Sequence, residues 1–166
     1  FLNPLDINFT NKDEIDPVAI KTDYVTSLVE MMLGKQDALN PTAKSVLTRC
    51  VKNIYNPYVE HVRKLKETNP EITCDKQSAP TLSTLYGELS RQPDPEARTL
   101  AKIIENYAVG GYDMFAHRSN VESDSKFLVY NVRNLVSNLK ELGLFICLND
   151  IWKDRKSTRL NSSHIT

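Results

Sequence analysis

The 166 residues amount to about one domain of chain. With 40% hydrophobic and 25% charged residues, and only 5 glycines and 8 prolines, the composition excludes low-complexity and collagen-like proteins. Lys+Arg and Asp+Glu both number 21, which argues against the wholly basic surface of a dedicated nucleic-acid binder and leaves room only for a local patch. The longest apolar run, Leu142 to Leu148, falls far short of the ~20 residues that span a membrane.

Residues 1–15 read as a loop leaving a strand that lies mostly before Phe1, because Pro4 fixes its own φ and pushes Asn3 out of the helical region. Asp16-Pro17 predicts a helix start, with Ile20, Tyr24, Val25, Leu28, Met31 and Met32 on its apolar face and Gly34 as its stop. Asn40-Pro41 repeats the start signal, and Ala43, Val46, Leu47, Cys50, Val51, Ile54 and Tyr55 follow at helical spacing. Asn56-Pro57 is expected to break or kink that helix, after which Val59, Val62 and Leu65 extend an apolar line to about Glu67. Thr68 to Pro80 has no period and reads as a loop. A short helix is predicted from Pro80-Thr81, carrying Leu82, Leu85, Tyr86 and Leu89. Asp94 is expected to cap another, carrying Ala97, Leu100, Ala101, Ile104, Tyr107 and Ala108.

Gly110-Gly111 closes the helical block at 16–111, and Tyr112 to Lys126 is irregular. The run from Phe127 to Val132 is short, aromatic and β-branched, with apolar residues on both parities, the pattern of a strand buried on both faces. A last helix is predicted from about Asn134 to Lys153, with Leu135, Leu139, Leu142 and Ile146 as its stripe. One buried strand needs neighbours for its backbone groups, and no second convincing strand is present. The expected fold is therefore mainly α: a helical insertion plus one strand–helix unit, at 112–153, of an α/β domain whose other strands lie outside the chain.

Both ends read as unlike those of a natural chain. It opens on Phe1 with no signal-peptide pattern. The stretch from Asp154 to His164, DRKSTRLNSSH, looks like a reading frame of a sequencing-library adapter, so residues 154–166 are expected to be non-native. Without them the body carries 18 basic and 20 acidic residues. Cys50, Cys74 and Cys147 are odd in number and show neither C-x-x-C nor ligand-spaced histidines. Reduced thiols are expected, with Cys50 and Cys147 in the core.

His117-Arg118, in FAHRSNV, reads first as a solvated surface pair. Its functional alternative is a loop arginine that reaches the phosphate of a nucleotide bound in its own or a neighbouring subunit. Gly110-Gly111 matches no phosphate-loop pattern. Asp13, Glu14 and Asp16 suit a solvated loop before a helix N-terminus, and Glu60-His61 with Arg63-Lys64 the exposed face of a helix. The residues alone name no reaction.

Five segments in order resemble the motor ATPases of conjugative type IV secretion systems, in particular a VirB-four-like branch of the HerA/FtsK-like P-loop superfamily. They are NPLDIN at 3–8, the helix-rich stretch at 16–55, the stretch at 80–110, FAHRSNV at 115–121, and the strand–helix run at 127–152. The resemblance implies a RecA-like P-loop ATPase domain, with this chain lying between its two ATP-binding motifs, Walker A and Walker B, and containing neither. Asn3, Pro4 and Asp6 would then form a strand-exit loop. Phe115, His117, Arg118, Asn120 and Val121 would precede the core strand as loop or interface contacts. For the whole protein the resemblance implies ATP and Mg as cofactors, a hexamer-like assembly of identical subunits, other secretion components as partners, and DNA or a coupling protein as a further one. It also implies work at the cytoplasmic face of the membrane without spanning it. The fragment itself is expected to bind no cofactor and to be catalytically inactive. The competing reading is a self-contained helical interaction module without catalysis.

Overall fold

Three of the α-helices start on the same chemistry, an Asp or Asn followed by proline. In the computed structural model, which describes residues 2–9, 16–34, 37–118 and 140–150, α1 spans Pro17–Leu33, α2 Pro41–Thr68, α3 Leu82–Arg91 and α4 Pro95–Ala108. The Asp16 carboxylate accepts from the Val18 N–H at 2.9 Å, and the Asn40 side chain from the Ala43 N–H at 2.8 Å. Helix α3 uses a capping box instead, in which Thr81 and Thr84 exchange side-chain-to-backbone bonds. The chain divides into two units, Phe1–Glu122 and Ser123–Thr166.

In the first unit, α2 packs against α1, α3 and α4, and α3 lies along α4. Leu28, Leu47, Tyr55, Leu85, Leu89, Leu100 and Ile104 are essentially inaccessible and form the core. Residues 2–9 run along this block, turning at Pro4-Leu5 where the Asp6 N–H donates to the Asn3 carbonyl at 3.3 Å, with Leu5 and Ile7 buried. Polar bonds pin the segment along its length. Lys21 Nζ donates to the Pro4 carbonyl at 3.1 Å, the Tyr55 hydroxyl to the Leu5 carbonyl, and the Phe9 N–H to the Thr73 carbonyl at 2.7 Å. A single 3-10 turn, Asp113–Phe115, follows α4 and packs on it. Gly110 is required at that corner, since a Cβ there would stand 2.7 Å from Asn106 Cα.

The structure corrects three expectations. Asn56-Pro57 does not break α2, which runs unbroken for 28 residues. Tyr55 and Tyr58 are buried on either side of the proline while Pro57 and Asn53 are exposed. The packed face therefore continues, and Asn53, whose carbonyl loses its donor, is an exposed residue. Asp94 is the N-cap residue of α4 but makes no side-chain capping bond. Its carboxylate accepts instead from Arg49 Nη2 at 2.8 Å, which joins α2 to the α3–α4 connection. Ile20, expected on the inner face of α1, is 49% exposed, and the buried stripe is Lys21, Thr22, Val25, Leu28 and Val29. The Pro4 carbonyl takes the Lys21 ammonium, and the rest of its stem is covered, so a charged residue occupies the inner face.

The described residues are mainly helical with no strand among them, as a mainly α chain requires. The strand expected at 127–132, the start of the last helix and the suspected adapter at 154–166 lie outside the described residues. Residues 140–150, in the second unit, are helical with Leu142, Ile146 and Cys147 buried. All three cysteines are free, with Cys50 and Cys147 buried and Cys74 partly so. No described helix is long and apolar enough to cross a membrane.

Candidate functional site

Helical spacing places Asn53, Ile54, Pro57, Tyr58 and His61 along one side of α2. Opposite them stand Thr84, Glu88 and Arg91, one turn apart on α3. The loop end Ser78-Ala79-Pro80 and the exposed Arg118 complete a cleft of about 540 Å³. Its floor is apolar and closed, with Tyr58, Ala79 and Pro80 buried. Its walls are polar.

The carboxylates at this cleft are saturated. The Glu88 carboxylate takes Arg91 Nη2 at 2.6 Å, Gln92 Nε2 at 2.8 Å and Asn53 Nδ2 at 3.0 Å. These donors, Arg91 first, hold its pKa below the usual glutamate value. Behind the wall, Asp75 Oδ2 receives His61 Nε2 at 2.7 Å and Ser78 Oγ at 2.8 Å, while Oδ1 accepts the Gln77 N–H. The bond to His61, then that to Ser78, lowers the Asp75 pKa. Donors remain in surplus. Arg91 spends one nitrogen on Glu88, and Arg118 makes no hydrogen bond or ion pair among the described residues.

Serine, histidine and aspartate meet here, yet the connectivity is not that of a hydrolase. In a nucleophilic triad the histidine stands between the serine and the carboxylate. Here Ser78 and His61 both bond the same carboxylate oxygen, so nothing draws the serine proton. Among the described residues no group of three or more His, Cys, Asp or Glu side chains is placed to hold a metal ion. A nucleotide cradle does not fit these residues either. A phosphate loop needs successive backbone N–H groups leading into a helix, with a lysine. Helices α1, α2 and α4 begin on proline, which has no N–H, and α1 and α4 are preceded by an aspartate.

The residues singled out from the sequence are scattered. Asn3 is 2% exposed and fully engaged. Its Nδ2 donates to the Pro80 carbonyl at 2.8 Å and to Asp6 Oδ1 at 3.2 Å, and its Oδ1 accepts the Leu5 N–H. Asn3 thus stands behind the cleft wall and holds Pro80 in place. Pro4 is buried beside it. Phe115 is buried on the 3-10 turn, and His117 Nε2 lies 3.4 Å from Asp113 Oδ2. Arg118 alone of the set lines the cleft. Asn120 and Val121 lie outside the described residues. Sequence reasoning missed His61, Glu88 and Arg91, having assigned His61 to a solvated face. The one available signal was helical phase, since 54, 58 and 61 share a face. The loop partner Asp75 had no signal in the period.

No family model matches the sequence, and no curated protein matches it. Among solved structures, the chain is similar to VirB4 of Thermoanaerobacter pseudethanolicus, with a TM-score of 0.67 and 21% sequence identity over 91% of this chain. The fold is therefore shared with that protein, of which this chain spans 56% of the length.

Proposed function

We propose that this chain is part of a VirB4-like ATPase of a type IV secretion system. It would contribute the helical insertion at 16–111 and the loop, strand and helix at 112–153 of a RecA-like domain. The fold shared with VirB4 over nearly the whole chain, spanning little more than half of that protein, carries the proposal. The five ordered segments named above support it independently.

In the complete protein, ATP and Mg bind at motifs outside this chain, at the interfaces of a hexamer-like assembly. Hydrolysis there moves the subunits as rigid bodies and powers conjugative transfer of DNA or protein from the cytoplasmic face of the membrane. The helical unit described here is suited to transmit such movement, because long-range polar bonds tie its N-terminal segment to α1, α2 and the loop before α3.

The parent reading frame tests this directly. A G-x-x-x-x-G-K-[ST] loop is expected upstream of Phe1 and an apolar strand ending in acidic residues downstream of Lys153. The complete protein is expected to hydrolyse ATP and to lose that activity when the loop lysine is replaced, while the 166-residue chain hydrolyses none. A start codon adjoining Phe1, or turnover by the purified chain alone, would sink the proposal. The competing reading, a helical interaction module, has one observation in its favour: residues 2–118 enclose a core of their own.

A further inference from the structure

The geometry points to the cleft between α2 and α3 as a docking site for an acidic peptide segment, with Arg118 taking a carboxylate. This inference is independent of the ATPase assignment and stands or falls without it.

Charge complementarity selects the occupant. Every carboxylate at the cleft is already saturated, whereas Arg118 is exposed with no partner among the described residues and Arg91 keeps nitrogens in reserve. A planar guanidinium that is free to present two parallel N–H groups is the natural complement of a carboxylate. The backbone supplies the opposite polarity. Pro57 has no N–H, so the Asn53 carbonyl lacks its helical donor, and both residues line the cleft. A peptide offers both counterparts in one ligand, an acidic side chain for Arg118 and a main-chain N–H for the Asn53 carbonyl.

Size and lining agree. A cleft of about 540 Å³ is far roomier than a single phosphate needs, and it falls within the ~300–1,000 Å³ typical of ligand-enclosing sites. Ile54, Tyr58 and Ala79 give it an apolar floor on which an aliphatic side chain next to the acidic one can rest. The site is also pre-formed. The Asn3 bond to the Pro80 carbonyl and the shared bonds of His61 and Ser78 to Asp75 fix the loop wall before any ligand arrives.

The test uses the 166-residue chain and a capped, fluorescently labelled peptide of alternating glutamate and leucine, read by anisotropy. The control peptide carries glutamine for glutamate. The glutamate peptide is expected to bind, and Arg118→Gln to weaken it about tenfold, the loss of one charge-assisted bidentate contact. Arg118→Lys is expected to fall between, since it keeps the charge and loses the fork. Lys102→Gln, an exposed charge on α4 away from the cleft, is expected to leave binding unchanged. Arg118 has no described partner to lose, and far-UV circular dichroism of its variants should match that of the parent chain. Equal binding of the two peptides, equal binding by Arg118→Gln, or Arg118-dependent binding of inorganic phosphate or a single-stranded oligonucleotide in preference to the peptide would each overturn the proposal.

Discussion

Helices α3 and α4 and the loop at 69–81 are neighbours ordered by different forces. Along the helix pair, Leu85, Leu89, Leu100 and Ile104 are buried to 1% exposure or less, and apolar periodicity sets which faces meet. In the loop only Ala79, Pro80 and Thr81, at its end, are buried. Bonds from distant residues hold the rest: Tyr58 Oη accepts the Asp75 N–H at 3.0 Å, Phe9 N–H reaches Thr73, and Asn3 reaches Pro80. Periodicity builds the scaffold, while single polar contacts set the geometry of the cleft wall. The two kinds of order should therefore fail differently.

The largest effect belongs to the helix pair. Leu85→Ala is expected to cost about 3 kcal/mol, transfer and cavity terms together, measured by urea unfolding of the chain. A loss below ~1 kcal/mol would mean that the core collapses around the gap. Next comes the polar anchor. Asn3→Ala strands the buried Pro80 carbonyl and the Leu5 N–H, at a cost of about 2 kcal/mol. It should also raise hydrogen exchange across 73–80 while leaving α3 and α4 protected. Uniform loss of protection would show that the wall and the scaffold unfold as one.

Smaller effects sharpen the contrast. Gly87 lies inside α3, where an added Cβ would meet only the end of the Arg91 side chain at 3.6 Å. Gly87→Ala should therefore stabilise by about 0.5–1 kcal/mol, visible as a raised Tm. Smallest is the pH response of the loop. The folded pKa of Asp75 is depressed, chiefly by its bond to His61. Its contribution is complete above the unfolded value of ~3.9 and disappears as pH falls through the folded one. The carboxylate is partly exposed, so the amount is under ~1 kcal/mol. Asp75→Asn should remove this part of the acid limb, and an unchanged limb would assign it elsewhere.

The same division explains what the sequence revealed. Helix starts at Asp16-Pro17, Asn40-Pro41 and Thr81 were legible because capping is local chemistry. The α2 core from Ala43 to Tyr55 was legible because burial is periodic. Pro57 misled as a break signal, since a proline on an exposed face costs one hydrogen bond without ending the helix. Asp94 misled for a related reason: a guanidinium from α2, 45 residues earlier in sequence, competes for the capping carboxylate. Arg118 was found as a candidate, but His61, Glu88 and Arg91 were not. Their common surface exists only once α2 and α3 are side by side.

Thiol burial has a practical consequence. Burial pushes Cys50 and Cys147 up to about 11, so at neutral pH both stay protonated as well as covered. Cys74, though its thiol is also raised by burial, is the most accessible of the three and sits in the loop that walls the cleft. In mildly alkaline buffer it is a native attachment point for a maleimide dye, four residues from Ser78. The unmodified sequence thus carries its own fluorescent reporter position for cleft occupancy.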